Sequence, residues 1–205
     1  MVAAQEQNTC AEQIRREAKT LFSARGFDAV SISDIACAAD CSKSNIFHHF
    51  GSKERLYFDV MREAMQRSVT RIREVMAEDG DAQKRIRQIA KDHYAIINED
   101  PERSRLMMRE VMFSSPQRGQ ELASEVFGEQ FSALTELMND LNRDKTVKPE
   151  FLAFMLIAAN VMLFHCQNVL QFLPGADLLL NVDTHTDAVS KMLMNSMGLA
   201  ADGAQ

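Results

Sequence analysis

Apolar residues recur three and four apart along most of this chain, and polar punctuation cuts that pattern into helices. Ile14, Ala18, Leu21 and Phe22 share one face. Thr9 with Glu12 reads as a capping box and Gly26 as a C-terminal cap, which predicts a helix over about 10–24. The polar residues 1–8 before it are expected to be disordered. Ser31 followed by Asp34 opens a short second helix whose apolar face is Ile35, Ala36 and Ala39. Asp40 stands at a turn, where Asp tolerates the left-handed conformation better than most non-glycines. Cys41 is a small apolar plug. Ser42 caps a third helix over 43–50, with Ile46 and Phe50 inward.

The pattern continues to the end of the chain. Ser52 caps a long fourth helix reaching about residue 78, with Leu56, Val60, Met61, Ala64, Val69, Ile72 and Met76 at helical spacing. After Asp79-Gly80-Asp81 a fifth helix runs over about 82–97, with Ile86, Ile89, Ala90, His93 and Tyr94 on or near one side. Asp100-Pro101 and Ser115-Pro116 each place a capping residue before a proline at the first helical position, where the missing N–H costs nothing. They open helices over about 102–113 and 116–141. The second of these turns Leu122, Val126, Phe127, Phe131, Leu134 and Leu137 inward. Residues 142–148 form a polar loop. A last helix over about 184–197 offers Val189, Met192, Leu193 and Met197 to an interface, and Gly198 closes it. The tail 200–205 is expected to be loose.

The stretch 31–53, SISDIACAADCSKSNIFHHFGSK, has the spacing of a helix-turn-helix, in which the second helix enters the DNA major groove. Its exposed side would carry Lys43, Ser44, Asn45, Phe47 and His48. Lys and Ser reach phosphates, Asn pairs with adenine, and Phe touches a thymine methyl. Ser31, Ser33, His49 and Lys53 are placed for phosphate contacts. With its flanks, LFSARGFDAVSISDIACAA and SKSNIFHHFGSKERLY, the segment resembles the DNA-binding domain of the TetR (tetracycline-repressor-like) family of bacterial transcription regulators. The likeness covers about a quarter of the chain. It implies an all-helical homodimer, a palindromic double-stranded DNA operator and a small-molecule pocket in the remaining chain. Three positions depart from the family's habit. Asp40 and Ser44 stand where Gly is usual, and Phe47 stands where a Tyr commonly gives its hydroxyl to a phosphate.

Charge narrows the reading. The net charge is −6, which excludes a general nucleic-acid coater. Residues 1–60 hold seven Lys/Arg against eight Asp/Glu, so specific binding depends on where the basic residues point. The N-terminus has neither the basic nor the apolar region of a secretory signal, and the four Cys show no CxxC spacing. A cytoplasmic protein without cofactor or metal is expected.

Residues 151–176 contain no Asp, Glu, Lys or Arg. A membrane span needs about twenty predominantly apolar residues, and here Asn160, His165, Gln167, Asn168 and Gln171 interrupt the run. No membrane partner is expected. A helix apolar all round is better explained by burial all round, one side lining a pocket and the other meeting a second subunit. Asn160, Phe164, Gln167 and Asn168 recur on one broad side of it. With His93, Tyr94, Phe127 and Phe131 they form the expected ligand-binding set. Twelve of the thirteen Met lie after residue 60, which suits an adaptable apolar site for a hydrophobic effector.

Enzyme motifs are absent: there is no GxSxG, HExxH, phosphate loop or paired-His metal spacing. Cys37 and Cys41, four apart around the motif's turn, raise a redox-sensing alternative. A helical protein–protein adaptor that never touches DNA is the other. The reading that follows is an all-α protein. An N-terminal three-helix DNA-binding domain (1–50) with a helix-turn-helix precedes a helical ligand-binding and dimerisation domain (51–205). It would act as a ligand-released repressor.

Overall fold

The structure is a computed structural model that describes residues 2–199, with side chains described from Cys10 onward except Ala64. The expected loose tail at 200–205 lies outside the described residues. The described chain contains helices and connecting turns only: α1 (Val2–Arg25), α2 (Ile32–Ala38), α3 (Lys43–Phe50), α4 (Lys53–Ala77), α5 (Ala82–Glu99), α6 (Pro101–Phe113), α7 (Pro116–Leu122), a π-helical turn (Ala123–Phe127), α8 (Gly128–Leu141), α9 (Pro149–Leu170), α10 (Ala176–Leu179) and α11 (Val182–Ser196).

The chain packs as two units. One comprises residues 1–65 with 101–127, the other residues 66–100 with 128 onward. The first therefore adds α6, α7 and the π turn to the N-terminal helices and the start of α4. Sequence pattern had placed the division near residue 50, with everything after it in one body.

In the first unit, Ile14, Ala18 and Phe22 of α1, Ile35 and Ala36 of α2, and Ile46 and Phe50 of α3 form one core with Leu56, Tyr57, Val60 and Met61 of α4. Leu106, Leu122 and Val126 complete it. Local chemistry sets the helix ends. Ser31 Oγ accepts from the Asp34 N–H at 3.1 Å while the Asp34 carboxylate accepts from the Ser31 N–H at 2.8 Å, a reciprocal capping box. Asp40 has φ 48, the left-handed turn expected of it. Ser42 caps α3 through the Asn45 N–H at 3.1 Å, and Ser52 caps α4 through the Arg55 N–H at 3.1 Å. Ser115 caps α7 through the Arg118 N–H, with Pro116 in the first turn.

Two expectations fail here. α1 begins at Val2, so Thr9 lies inside the helix and residues 2–8 are helical; a helix can extend through polar residues where one end is held by packing. The helix expected over 116–141 is broken by the π turn. There Arg62 donates to the Glu125 backbone carbonyl at 3.0 Å and to its carboxylate at 2.9 Å.

In the second unit, α5 packs on α9 and α11, and α8 packs on α9. Ile86, Ile89, Leu134, Leu137, Leu152, Leu156, Leu193 and Met197 are among its buried residues. Asn142 organises the loop between α8 and α9. It donates to Val147 O at 2.8 Å and accepts from the Lys145 N–H at 3.0 Å. α9 is apolar all round but only half of it is covered. Leu152, Ala153, Leu156, Leu163 and Phe164 are buried, whereas Phe151, Phe154, Met155, Met162 and Val169 are exposed. By length and composition alone this helix could cross a membrane. Its buried and hydrogen-bonded Asn160, described below, argues instead for a protein core. Val189 and Leu193 of α11 and Met197 at its C-terminal cap turn inward, and Met192 is 62% exposed on the outer side. α9 ends at Leu170, and α10 follows after Gly175 in the left-handed conformation.

Candidate nucleic-acid interface and effector site

α3 separates its residues as the spacing requires. Ile46 and Phe50 are buried, while Lys43, Ser44, Asn45, Phe47 and His48 are exposed and His49 is half-buried. Half of Phe47's surface is free to meet a partner. Asn45 Oδ1 accepts from Ser42 Oγ at 2.8 Å. That uses one of its two lone pairs and leaves the other, with the amino group, for an adenine edge.

The residues expected at phosphates differ more among themselves. Ser33 is exposed. Ser31 is exposed but gives its hydroxyl proton to the Asp34 carboxylate at 2.6 Å. These bonds hold the Asp34 carboxyl below its usual range. Lys53 is half-buried, its ammonium 4.1 Å from the centre of the Phe27 ring. The His48 and His49 rings lie 5.3 Å apart.

Cys37 is exposed and Cys41 half-buried. Burial, then Cys10 and Asp40, push the Cys41 thiol up, the opposite of what a reactive thiolate requires.

The expected ligand-binding set does not converge on one place. His93, Tyr94 and Asn160 do come together. Asn160 is fully buried on α9. Its amide donates to Ala90 O at 3.0 Å and to His93 Nδ1 at 3.1 Å, and its Oδ1 accepts from His185 Nε2 at 3.1 Å. His93 therefore accepts at Nδ1 and carries its proton on Nε2. Burial lowers its pKa to about 4 and keeps the ring neutral. His185 is shifted downward for the same reason, and its ring lies 6.1 Å from that of Tyr94. Phe164 is buried nearby in sequence, but Gln167 and Asn168 are exposed. Phe131 packs on the core of the second unit and Phe127 on that of the first.

Sequence reasoning missed His185, which lies 92 residues from His93 in a segment with no motif. Clefts of about 540 and 560 Å³ open in the first unit, beside Arg55 and Arg62 and beside Arg25 and Arg109. One of about 530 Å³ opens in the second, beside Arg87 and Asp187. These are lined largely by charged and polar side chains. The expected ligand-binding residues line none of the three. Among the described residues, no group of three or more His, Cys, Asp or Glu is placed to hold a metal.

The sequence profile described as bacterial regulatory proteins, tetR family, matches residues 14–60, from Ile14 of α1 to Val60 of α4. Residues 14–60 thus carry a TetR-family DNA-binding region. The chain is 28% identical over 105 residues to the transcriptional activator FasR of Mycolicibacterium smegmatis, covering 51% of the chain and 48% of FasR. It is 31% identical over 81 residues to the transcriptional repressor KstR2 of Rhodococcus jostii, covering 40% of each. The match thus spans less than half the length of these curated relatives. The fold is that of TetR-family proteins throughout. The structure of FadR from Bacillus subtilis in complex with stearoyl-CoA superposes with a TM-score of 0.73 at 15% identity, over 90% of this chain and 98% of that one. The matched profile is one of regulatory proteins, and both named relatives are transcription regulators.

Proposed function

We propose that this TetR-family chain is a homodimeric, DNA-binding transcription regulator that represses from a palindromic operator and is released by a hydrophobic small molecule. The observation that carries the DNA-binding part is α3. A capped helix holds Ile46 and Phe50 in the core and leaves a contiguous face of Lys43, Ser44, Asn45, Phe47 and His48 in solvent. Lys43, Ser33 and Lys53 would position the backbone, and Asn45 and Phe47 would read bases.

The homodimer is supported by the outer side of α9. Phe151, Met155, Met162 and Val169 recur at helical spacing and are 65%, 49%, 47% and 65% exposed. In such a dimer the two reading helices would enter successive major grooves, about 34–36 Å apart or somewhat more. The protein would work in the cytoplasm, where its operator is.

The effector reading is supported by the likeness to a fold that holds stearoyl-CoA. An acyl chain is the class it favours, with the His93–Asn160–His185 group orienting a polar end. The effector acts by binding better to the state whose heads are out of register. The repressor assignment follows KstR2; FasR shows that the opposite output exists among relatives.

Fluorescence anisotropy with a selected operator tests the contact assignment. Lys43→Ala should weaken binding to all sequences alike, and Asn45→Ala should relax choice at one base position. If both variants kept wild-type affinity and specificity, α3 would not be the reading helix. Stearoyl-CoA added to the complex should release the operator. A complex indifferent to it, and to palmitate, would remove the acyl-chain reading while leaving DNA binding intact.

A further inference from the structure

Segment 101–127 lies between two stretches of the second unit in sequence, yet it packs in the first. Beside the buried Leu106, Leu122 and Val126, one cation ties it there. The Arg118 guanidinium carbon lies 4.8 Å from the centre of the Phe27 ring, 5.0 Å from that of Tyr57 and 4.5 Å from that of Phe58. Arg118 Nε stands 3.5 Å from the Glu110 carboxylate and Nη1 3.6 Å from that of Glu121, while the buried Nη2 has no hydrogen-bond partner. Three rings and two carboxylates thus hold this half-buried cation, the rings by cation–π attraction. The rings are themselves packed edge-on, Phe22 to Tyr57 at 4.8 Å and Phe27 to Tyr57 at 4.9 Å.

Phe27 has a second cation, the ammonium of Lys53 at 4.1 Å. Lys53 begins α4 immediately after the reading helix and its closing turn. A chain of direct contacts therefore runs from Arg118 through Phe27 to Lys53.

We propose that Arg118 is the positioning residue by which segment 101–127 sets the DNA-reading head: it fixes Phe27, and Phe27 fixes Lys53 for its phosphate. This rests on the reading of α3 and Lys53 as DNA contacts. Displacing 101–127 along the chain would withdraw Arg118, loosen Phe27 and let Lys53 swing.

The test uses the full chain as wild type, Arg118→Met and Arg118→Lys. Met keeps most of the apolar stem and removes the charge; Lys restores a cation. Hydrogen exchange without DNA comes first. Amides of 43–53 should exchange faster in Arg118→Met than in wild type, with Arg118→Lys between them. With a selected operator, Arg118→Met should weaken binding on the order of tenfold and lower the salt dependence by about one ion, the signature of one lost phosphate contact. Arg118→Lys should recover part of both. A purely structural role would lower the melting temperature and leave exchange at 43–53 and the salt slope at wild-type values in the cold. That result overturns the proposal. If the wild type bound no DNA, the function reading would fail instead, and exchange at 43–53 would still decide whether Arg118 positions Lys53.

Discussion

Replacing His93 by Asn should flatten the acid side of the stability profile. His93 is buried and accepts from Asn160 at Nδ1. Its folded pKa is lowered to about 4 by desolvation, against about 6.5 for an unfolded histidine. Between those values the unfolded chain binds a proton that the folded chain does not. Stability is therefore complete above about pH 6.5 and falls as pH drops towards 4. Integrated from about pH 7.5 to pH 5, this one group removes about 2 kcal/mol. Asn places an acceptor oxygen where Nδ1 stands and does not titrate. His185 is present in both proteins and cancels in the comparison. Urea denaturation at the two pH values, followed by circular dichroism, reads the difference directly. Wild type should lose about 2 kcal/mol more than His93→Asn on acidification. Equal losses would mean that the histidine is not held neutral against Asn160, and the account of this polar group would be wrong.

Other consequences are as direct. Ser42→Ala removes the cap on α3 and should cost about 1 kcal/mol in urea denaturation; an unchanged midpoint would mean the Asn45 N–H bond adds nothing. Asp40→Gly relieves a left-handed residue at φ 48 and should raise stability by about 0.5–1 kcal/mol, whereas a lower melting temperature would contradict the strain. Met162→Glu places a charge in the exposed stripe of α9 and should turn a dimer into a monomer by sedimentation equilibrium; a dimer unaffected by it must use another face. Peroxide should act equally on wild type and on a Cys37→Ser, Cys41→Ser variant, and a response lost in the variant would revive redox sensing.

What could be read in advance was local. Ser31 with Asp34, Asp40, Ser42, Ser52 and Ser115-Pro116 each act within four residues of themselves, so spacing alone placed α2, α3, α4 and α7. The division of α3 into buried and exposed residues follows from the same periodicity. Long-range placement was not readable. Arg118 sits 60 to 91 residues from the rings that hold it, and His185 is 25 residues from Asn160 and 92 from His93. The π turn carries no distinctive residues; its partner, Arg62, is supplied from α4. The expected ligand set failed as a set because helical spacing ranks faces but does not say which neighbour covers them. Gln167 and Asn168, past the packed part of α9, remain in solvent.

The central claim is that α3, presented twice by a dimer, reads a symmetric DNA site. Selection from a random duplex pool with the purified full chain, at low salt and without effector, tests it most directly. Enrichment of a palindrome with two half-sites, lost when Asn45 is replaced by Ala at the position it reads, is the predicted result. Enrichment of no sequence over background would contradict the claim and move the protein–protein adaptor reading to the front.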